Sequence, residues 1–271
     1  MRIVHVCLRY PPALGGVETY AKEIVERTRN VAAGMDVRVL TSRMRTHGPA
    51  TALKPDELLD DPPYVQRLHH TITPGVAYPR LQALGYYLGH HQPDIIEAYS
   101  FWYQPADAAA RYARKYKVPF IFHPVYYENE IRKKAIWQIY KRFYGRASFA
   151  AADVTVILSP FEQRLIEKAG FPVKRLELIP PGVDVDGLAR PMGNKKIFKP
   201  FGKPIIMTAS RVSAGKGLED IINAMPNILK RFPEAHLCLI GEDFDAQENL
   251  QKMASFLGIE QHITFIGRLS R

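Results

Sequence analysis

Three sets of residues in this chain have the types and spacing to do chemistry. The first is Pro11-Pro12-Ala13-Leu14-Gly15-Gly16-Val17-Glu18. Gly15 and Gly16 let the backbone come close to a ligand, and a helix opening behind them offers unpaired N–H groups to an anion. The other reading of the pair is a tight turn with no ligand. The second set is Ala209-Ser210-Arg211-Val212-Ser213-Ala214-Gly215-Lys216-Gly217. Arg211 and Lys216 flank a glycine-containing turn. Two cations beside helix-terminus donors match the two charges of a diphosphate. A solvated basic loop is the plainer alternative. The third is His123, which follows the apolar run Val118–Phe122. A histidine at the carboxyl end of a strand is placed for function in an open α/β sheet. A structural histidine with satisfied partners would look the same in sequence.

Other patterns carry less. The glycines fit neither G-x-G-x-x-G nor G-x-x-x-x-G-K-[ST]. Asp184-Val185-Asp186 spells D-x-D, a pattern able to hold a metal, but it follows Pro-Pro-Gly and reads as turn chemistry. His69-His70 and His90-His91 are adjacent pairs, so neither puts two ligands on one helix face. No metal site is expected.

These residues need a frame to hold them. Ile3–Leu8, Asp36–Leu40, Tyr64–Leu68, Asp94–Ala98, Val118–Phe122, Val154–Leu158 and Leu176–Ile179 read as strands. Helical periodicity runs through Val17–Arg29, Tyr78–His90, Pro105–Lys117, Glu130–Ala150 and Pro160–Ala169, the last ended by Gly170. Thr41–Pro63 reads as a loop. Strand–helix alternation predicts a parallel sheet covered on both faces, because each parallel crossover needs a connecting element. Residues 1–187 form this first domain. A proline-rich linker, 188–203, follows. A second βαβ rhythm occupies 204–271, with strands at Pro204–Ser210, Ala235–Gly241 and His262–Gly267. Helices are expected at Leu218–Phe232 and Ala246–Leu257. The pattern then stops with an open parallel edge, which folded sheets avoid, so the chain reads as incomplete at its C-terminus.

Composition narrows the class. Hydrophobic residues make up 46% and charged residues 24%, which excludes disordered and low-complexity proteins. No apolar run approaches the ~18 residues of a membrane span, and no secretory leader is visible. Cys7 and Cys238 lie in apolar runs and read as reduced, which points to the cytoplasm. Lys and Arg number 37 against 27 acids, a net +10. That surface suits anionic lipid or phosphorylated small molecules. No motif points to nucleic acid. Ile131–Arg146 carries six Lys or Arg and no acid, interleaved with Ile136, Trp137, Ile139, Tyr140, Phe143 and Tyr144. It reads either as a helix lying on an anionic membrane or as a surface helix packing its aromatic side on the sheet.

Taken together, the chain resembles the GT-B glycosyltransferases with two facing Rossmann-like domains, and among them glycosyltransferase family 4 (group 1). The resemblance rests on Gly15-Gly16-Val17-Glu18, Ile179-Pro180-Pro181-Gly182-Val183-Asp184 and Ala209-Ser210-Arg211 through Lys216-Gly217. Leu239-Ile240-Gly241-Glu242 and Phe265-Ile266-Gly267-Arg268 extend it. It implies transfer of a hexosyl group from a nucleotide-diphosphate sugar to an acceptor hydroxyl, with retention and without metal or other cofactor. Arg211 and Lys216 would bind the donor diphosphate. Gly15, Gly16 and Glu18 would line the cleft, and His123 would be its catalytic histidine. The acceptor would be a glycan or a lipid-linked molecule. The resemblance also implies an E-x7-E segment, which would lie beyond Arg271, so turnover by this chain alone is not expected. A nucleotide-sugar epimerase or a non-catalytic binding protein of the same fold are the alternatives.

Overall fold

The computed structural model describes residues 1–13, 15–31, 34–45, 61–73, 76–128, 134–186, 201 and 203–269. The expected linker lies largely outside the described residues, as do 46–60 of the expected loop. The chain divides into two compact units, Met1–Val183 and Asp184–Arg271.

The first unit is built on a seven-stranded parallel sheet. Its strands are β1 (Arg2–Val6), β2 (Asp36–Ser42), β3 (Val65–Leu68), β6 (Ile95–Tyr99), β7 (Phe120–His123), β8 (Val154–Ile157) and β9 (Leu176–Leu178). The spatial order is β3-β2-β1-β6-β7-β8-β9. The chain thus builds outward from β1 on one side and from β6 on the other. The order reverses between β1 and β6, and ligands of open α/β sheets bind off the carboxyl ends of strands at such a reversal. Period-two alternation sorts the core. Val4 and Val6 join the cluster containing Ala109, Phe120 and Phe122. Ile3 and Cys7 join the cluster containing Ala21, Val25 and Tyr99. His5 alternates onto this second face, beneath α1 (Gly16–Val31).

Two helix expectations change. Tyr78–His90 is not one helix. Strand β5 (Val76–Leu81) pairs antiparallel with β4 (His70–Thr73), and α2 begins only at Leu84 and runs to His91. Pro79 is the reason: it biases Tyr78 toward extended backbone. The helix expected over Glu130–Ala150 is described as α4 (Lys134–Tyr140), a π-helical turn over Lys141–Gly145 and α5 (Arg146–Ala151). Gly145 ends the wide turn, and Phe101 lies against it. A Cβ there would stand 2.6 Å from the Phe101 ring. Helices α3 (Gln104–Tyr116) and α6 (Pro160–Ala169) complete the unit. Buried Asp107 on α3 joins several of these pieces, accepting from Tyr78, from Tyr140 at 2.9 Å and from Ser148 at 2.5 Å.

The second unit has three parallel strands in the order β10 (Ile205–Ala209), β11 (His236–Ile240), β12 (Ile263–Gly267). Helices α7 (Leu218–Arg231) and α8 (Gln247–Phe256) supply its core. Leu218, Ile222 and Met225 of α7 meet Leu250 and Ala254 of α8 over Leu237 and Leu239.

Candidate functional site

In the first unit the loop after β1 leads into α1 at the sheet's reversal point. Gly15 is the cap, since Thr19 N–H donates to its carbonyl at 3.1 Å. Glu18 then stands at the third helical position, from which a glutamate folds back over the helix start. Its carboxylate fills the space beside Gly15, where a Cβ would lie 2.0 Å from Glu18 Oε2. Gly15 is therefore required by Glu18. Gly16 differs: a Cβ there meets nothing within 4 Å, and the residue is exposed. Glu18 is buried and turned inward. Arg9 grips it, with Nε and Nη2 each 2.6 Å from Oε1. Arg67 pins the same loop from β3, donating to the carbonyls of Pro11 at 2.5 Å and Ser42 at 3.1 Å.

His123 ends β7 and is buried, at 4% exposure. Both ring nitrogens are engaged. Nδ1 lies 3.1 Å from the Tyr20 hydroxyl and Nε2 lies 3.2 Å from Glu97 Oε2. The ring stacks on Tyr99 with centroids 4.6 Å apart. Around it the backbone is strained. Ser100 (φ 75°), Trp102 (φ 68°) and Val125 (φ 46°) have left-handed backbones just past the ends of β6 and β7. A β-branched residue there is an outlier, and such strain persists only where surroundings enforce it. Here the two loops zip together, Ser100 N–H to His123 O at 2.8 Å and Phe101 N–H to Pro124 O at 2.7 Å. Buried Glu162 accepts from Tyr126 N–H at 2.6 Å and Leu158 N–H at 2.9 Å. Burial holds its carboxyl above the usual range despite those two bonds.

No motif in the sequence marks Arg9, Tyr20, Glu97 or Glu162. Glu97 did carry a signal: it is a charge inside the strand Ile95-Ile96-Glu97-Ala98. The others act through tertiary contacts that no local pattern announces.

In the second unit Arg211 lies two residues past the end of β10. Its guanidinium carbon sits 5.2 Å from the Phe244 ring centroid. The loops after β10 and β11 are laced together. Ser210 N–H donates to Ile240 O at 3.0 Å, Val212 N–H to Glu242 O at 2.9 Å and Phe244 N–H to Val212 O at 2.8 Å. Gly241 permits this approach. It has φ 149°, and a Cβ there would stand 1.8 Å from Ser210 O. Lys216 is exposed between Gly215 (φ 79°) and Gly217 (φ 68°), the latter opening α7. Glu219 and Asp220 occupy the first turn of α7. They complement the helix dipole themselves.

Among the described residues no helix is long and apolar enough to cross a membrane. The basic stretch shows two apolar faces. Trp137 and Tyr140 are buried and pack on Trp102, with centroids 4.9 Å and 4.5 Å away. Ile139 and Phe143 point outward, 58% and 63% exposed. Lys141 is paired with Glu128 at 2.8 Å, whereas Arg142 is exposed. Ile131, Arg132 and Lys133 lie outside the described residues.

Parallel-sheet units of this kind are those of the GT-B class. The structure superposes on that of Anabaena Alr3699/HepE in complex with UDP with a TM-score of 0.71 at 18% identity, covering 100% of this chain and 70% of that one. It also superposes on Neisseria meningitidis UDP-GlcNAc 2-epimerase with a TM-score of 0.57 at 13% identity, covering 100% of this chain and 72% of the epimerase. At such identities the likeness is one of fold.

Sequence gives the family. Residues 14–186 match Glycosyltransferase Family 4, and 193–271 match Glycosyl transferases group 1. The chain belongs to glycosyltransferase family 4. A GDP-mannose-dependent alpha-(1-6)-phosphatidylinositol monomannoside mannosyltransferase of Mycolicibacterium smegmatis is 33% identical over 118 residues, 42% of this chain. That match spans 31% of the mannosyltransferase's length.

Proposed function

We propose that this protein moves a hexosyl group from a nucleoside diphosphate sugar to an acceptor hydroxyl, with retention and without a metal. The observation that carries the reading is Arg211, held over Phe244 where the loops after two parallel strands are laced together, in a family 4 chain. Arg211 and Lys216 bind the donor diphosphate. As the bond from the sugar's anomeric carbon to the diphosphate oxygen breaks, charge grows on that oxygen and the two cations stabilise it. The acceptor oxygen bonds to the same face of that carbon, and its proton leaves with the diphosphate. In the first unit Gly16 leaves α1 open to a ligand, Gly15 and Glu18 shape the loop behind it, and His123 is the proposed catalytic histidine. The fold alone also serves epimerases; the family match favours transfer.

The test is thermal unfolding with millimolar UDP, GDP and ADP. A ligand at about 100 times its Kd adds about 2.7 kcal/mol to the unit it binds. One nucleotide is expected to raise the melting temperature, and Arg211→Ala and Lys216→Ala each to abolish the rise. A cooperatively melting protein that none of the three stabilises would remove the reading.

The acceptor proposed is glycan or lipid-linked, reached at the cytoplasmic face of an anionic membrane. The mycolicibacterial relative, whose name specifies a phosphatidylinositol mannoside, supports a lipid-linked choice. The outward pair Ile139 and Phe143 beside Arg142 supplies apolar insertion with charge attraction. The protein is expected to sediment with phosphatidylglycerol vesicles and not with neutral ones. Phe143→Asp with Arg142→Glu is expected to release it; unchanged sedimentation sinks the idea.

A further inference from the structure

Five side chains from three strands and α1 share one buried hydrogen-bond network, and its proton positions can be worked out. Glu97 Oε2 receives Tyr99 OH at 3.2 Å and His123 Nε2 at 3.2 Å. The Tyr99 hydroxyl has one proton and gives it to Glu97. It therefore accepts from His5 Nδ1, 3.0 Å away. His5 is then protonated at Nδ1 and bare at Nε2, and Nε2 is indeed a buried atom with no partner. By the same logic His123 carries its proton on Nε2, toward Glu97. Its Nδ1 is bare and accepts from Tyr20 OH, 3.1 Å away.

Everything in that chain follows from one ionised carboxylate. Burial works to raise Glu97, but the hydrogen bonds it accepts from His123 and Tyr99 help to hold it below the usual carboxylate range. Burial lowers His5, more than Glu97 raises it, so His5 stays neutral. The other groups near His123 are Tyr20, which burial raises to about 12, and Glu162, which burial also raises. Tyr20 lies about one helical turn beyond exposed Gly16, on the same side of α1.

We infer that Glu97 is a positioning residue of this site: it fixes the plane and tautomer of His123, so that Nδ1 takes the Tyr20 proton and the Tyr20 hydroxyl oxygen is left as the acceptor on the Gly16 side of α1. This rests on the transferase reading above. A sugar hydroxyl arriving at that face would be met by an acceptor and would have to donate.

The test has two arms on the full chain. Nitrogen-15 NMR of the imidazoles reads the tautomers directly. Wild type is expected to show His123 protonated at Nε2 and His5 at Nδ1; the reverse for His123 overturns the inference even if every variant misfolds. Glu97→Met removes the acceptor at similar size, and His123 is expected to lose its single tautomer. Glu97→Gln, whose carbonyl oxygen can take the place of Oε2, is expected to restore it. The second arm compares UDP and GDP with UDP-glucose and GDP-mannose in binding titrations. Glu97→Met is expected to weaken the sugar ester about tenfold, the scale of one hydrogen bond, and to leave the free nucleotide unchanged. Equal affinity of wild type and Glu97→Met for the ester, or an unmoved tautomer, overturns the inference. A wild type that binds no nucleotide overturns the transferase reading instead, and the tautomers then decide on Glu97.

Discussion

Glu18→Ala is expected to cost the first unit about 3–5 kcal/mol, because it breaks a buried ion pair. Arg9 and Glu18 have side chains only 7% and 5% exposed and meet at 2.6 Å. Removing the carboxylate takes that counter-ion from Arg9 and leaves its guanidinium against the Tyr103 ring, 5.9 Å from the centroid. In a unit of this size the loss corresponds to roughly 10 °C in melting temperature. The double variant Arg9→Met, Glu18→Met is expected to recover much of it, since apolar replacement of a buried pair is often neutral. Differential scanning calorimetry of the three proteins decides the matter. A single variant melting within a degree of wild type would show that the pair contributes little. The same packing explains why the sequence places two glycines here that do different jobs. Gly15 makes room for a carboxylate, while Gly16 leaves room for something else.

The second large effect is expected at Gly241. Gly241→Ala would drive a methyl group to 1.8 Å from the Ser210 carbonyl oxygen. It would also force a side chain onto a backbone conformation that favours glycine. Strain and overpacking together put the cost at about 3 kcal/mol or more. The damage falls on the contacts that place Arg211, including Ser210 N–H to Ile240 O and Gly241 N–H to Gly267 O at 2.9 Å. The second unit is therefore expected to melt earlier and to lose its nucleotide response together. Hydrogen exchange across β10 and β11, read beside the nucleotide melting shift, checks both. Wild-type protection with a full nucleotide response would mean that the loops can part without consequence.

Much of this architecture was legible in the sequence, for reasons that differ by element. The parallel strands announced themselves because each is a short apolar run set between helical stretches. The strand, turn and helix around Arg211 and Lys216 were legible because they lie in one contiguous stretch. The Tyr78 segment misled because its apolar spacing fits a helix turn, while Pro79 and the pairing with β4 settle it as strand. The long basic helix hid its π turn, which ends at Gly145 where Phe101 packs across the fold. The surroundings of His123 were hidden for the same kind of reason. Glu97, Tyr20 and Tyr99 come from separate elements, and only the closed sheet brings them to one ring. Residue type flagged His123, but its partners could be found only in space.

The two units each close a core of their own, and that shapes how such a protein can change over generations. A substitution that alters what the first unit recognises is charged against Val4, Ala109, Phe120 and their neighbours. One in the second unit is charged against Ile222, Leu237 and Leu250. Neither core need be rebuilt when the other drifts. A lineage can then remodel one unit while keeping the other, or exchange one unit wholesale by recombination, without passing through an unfolded ancestor.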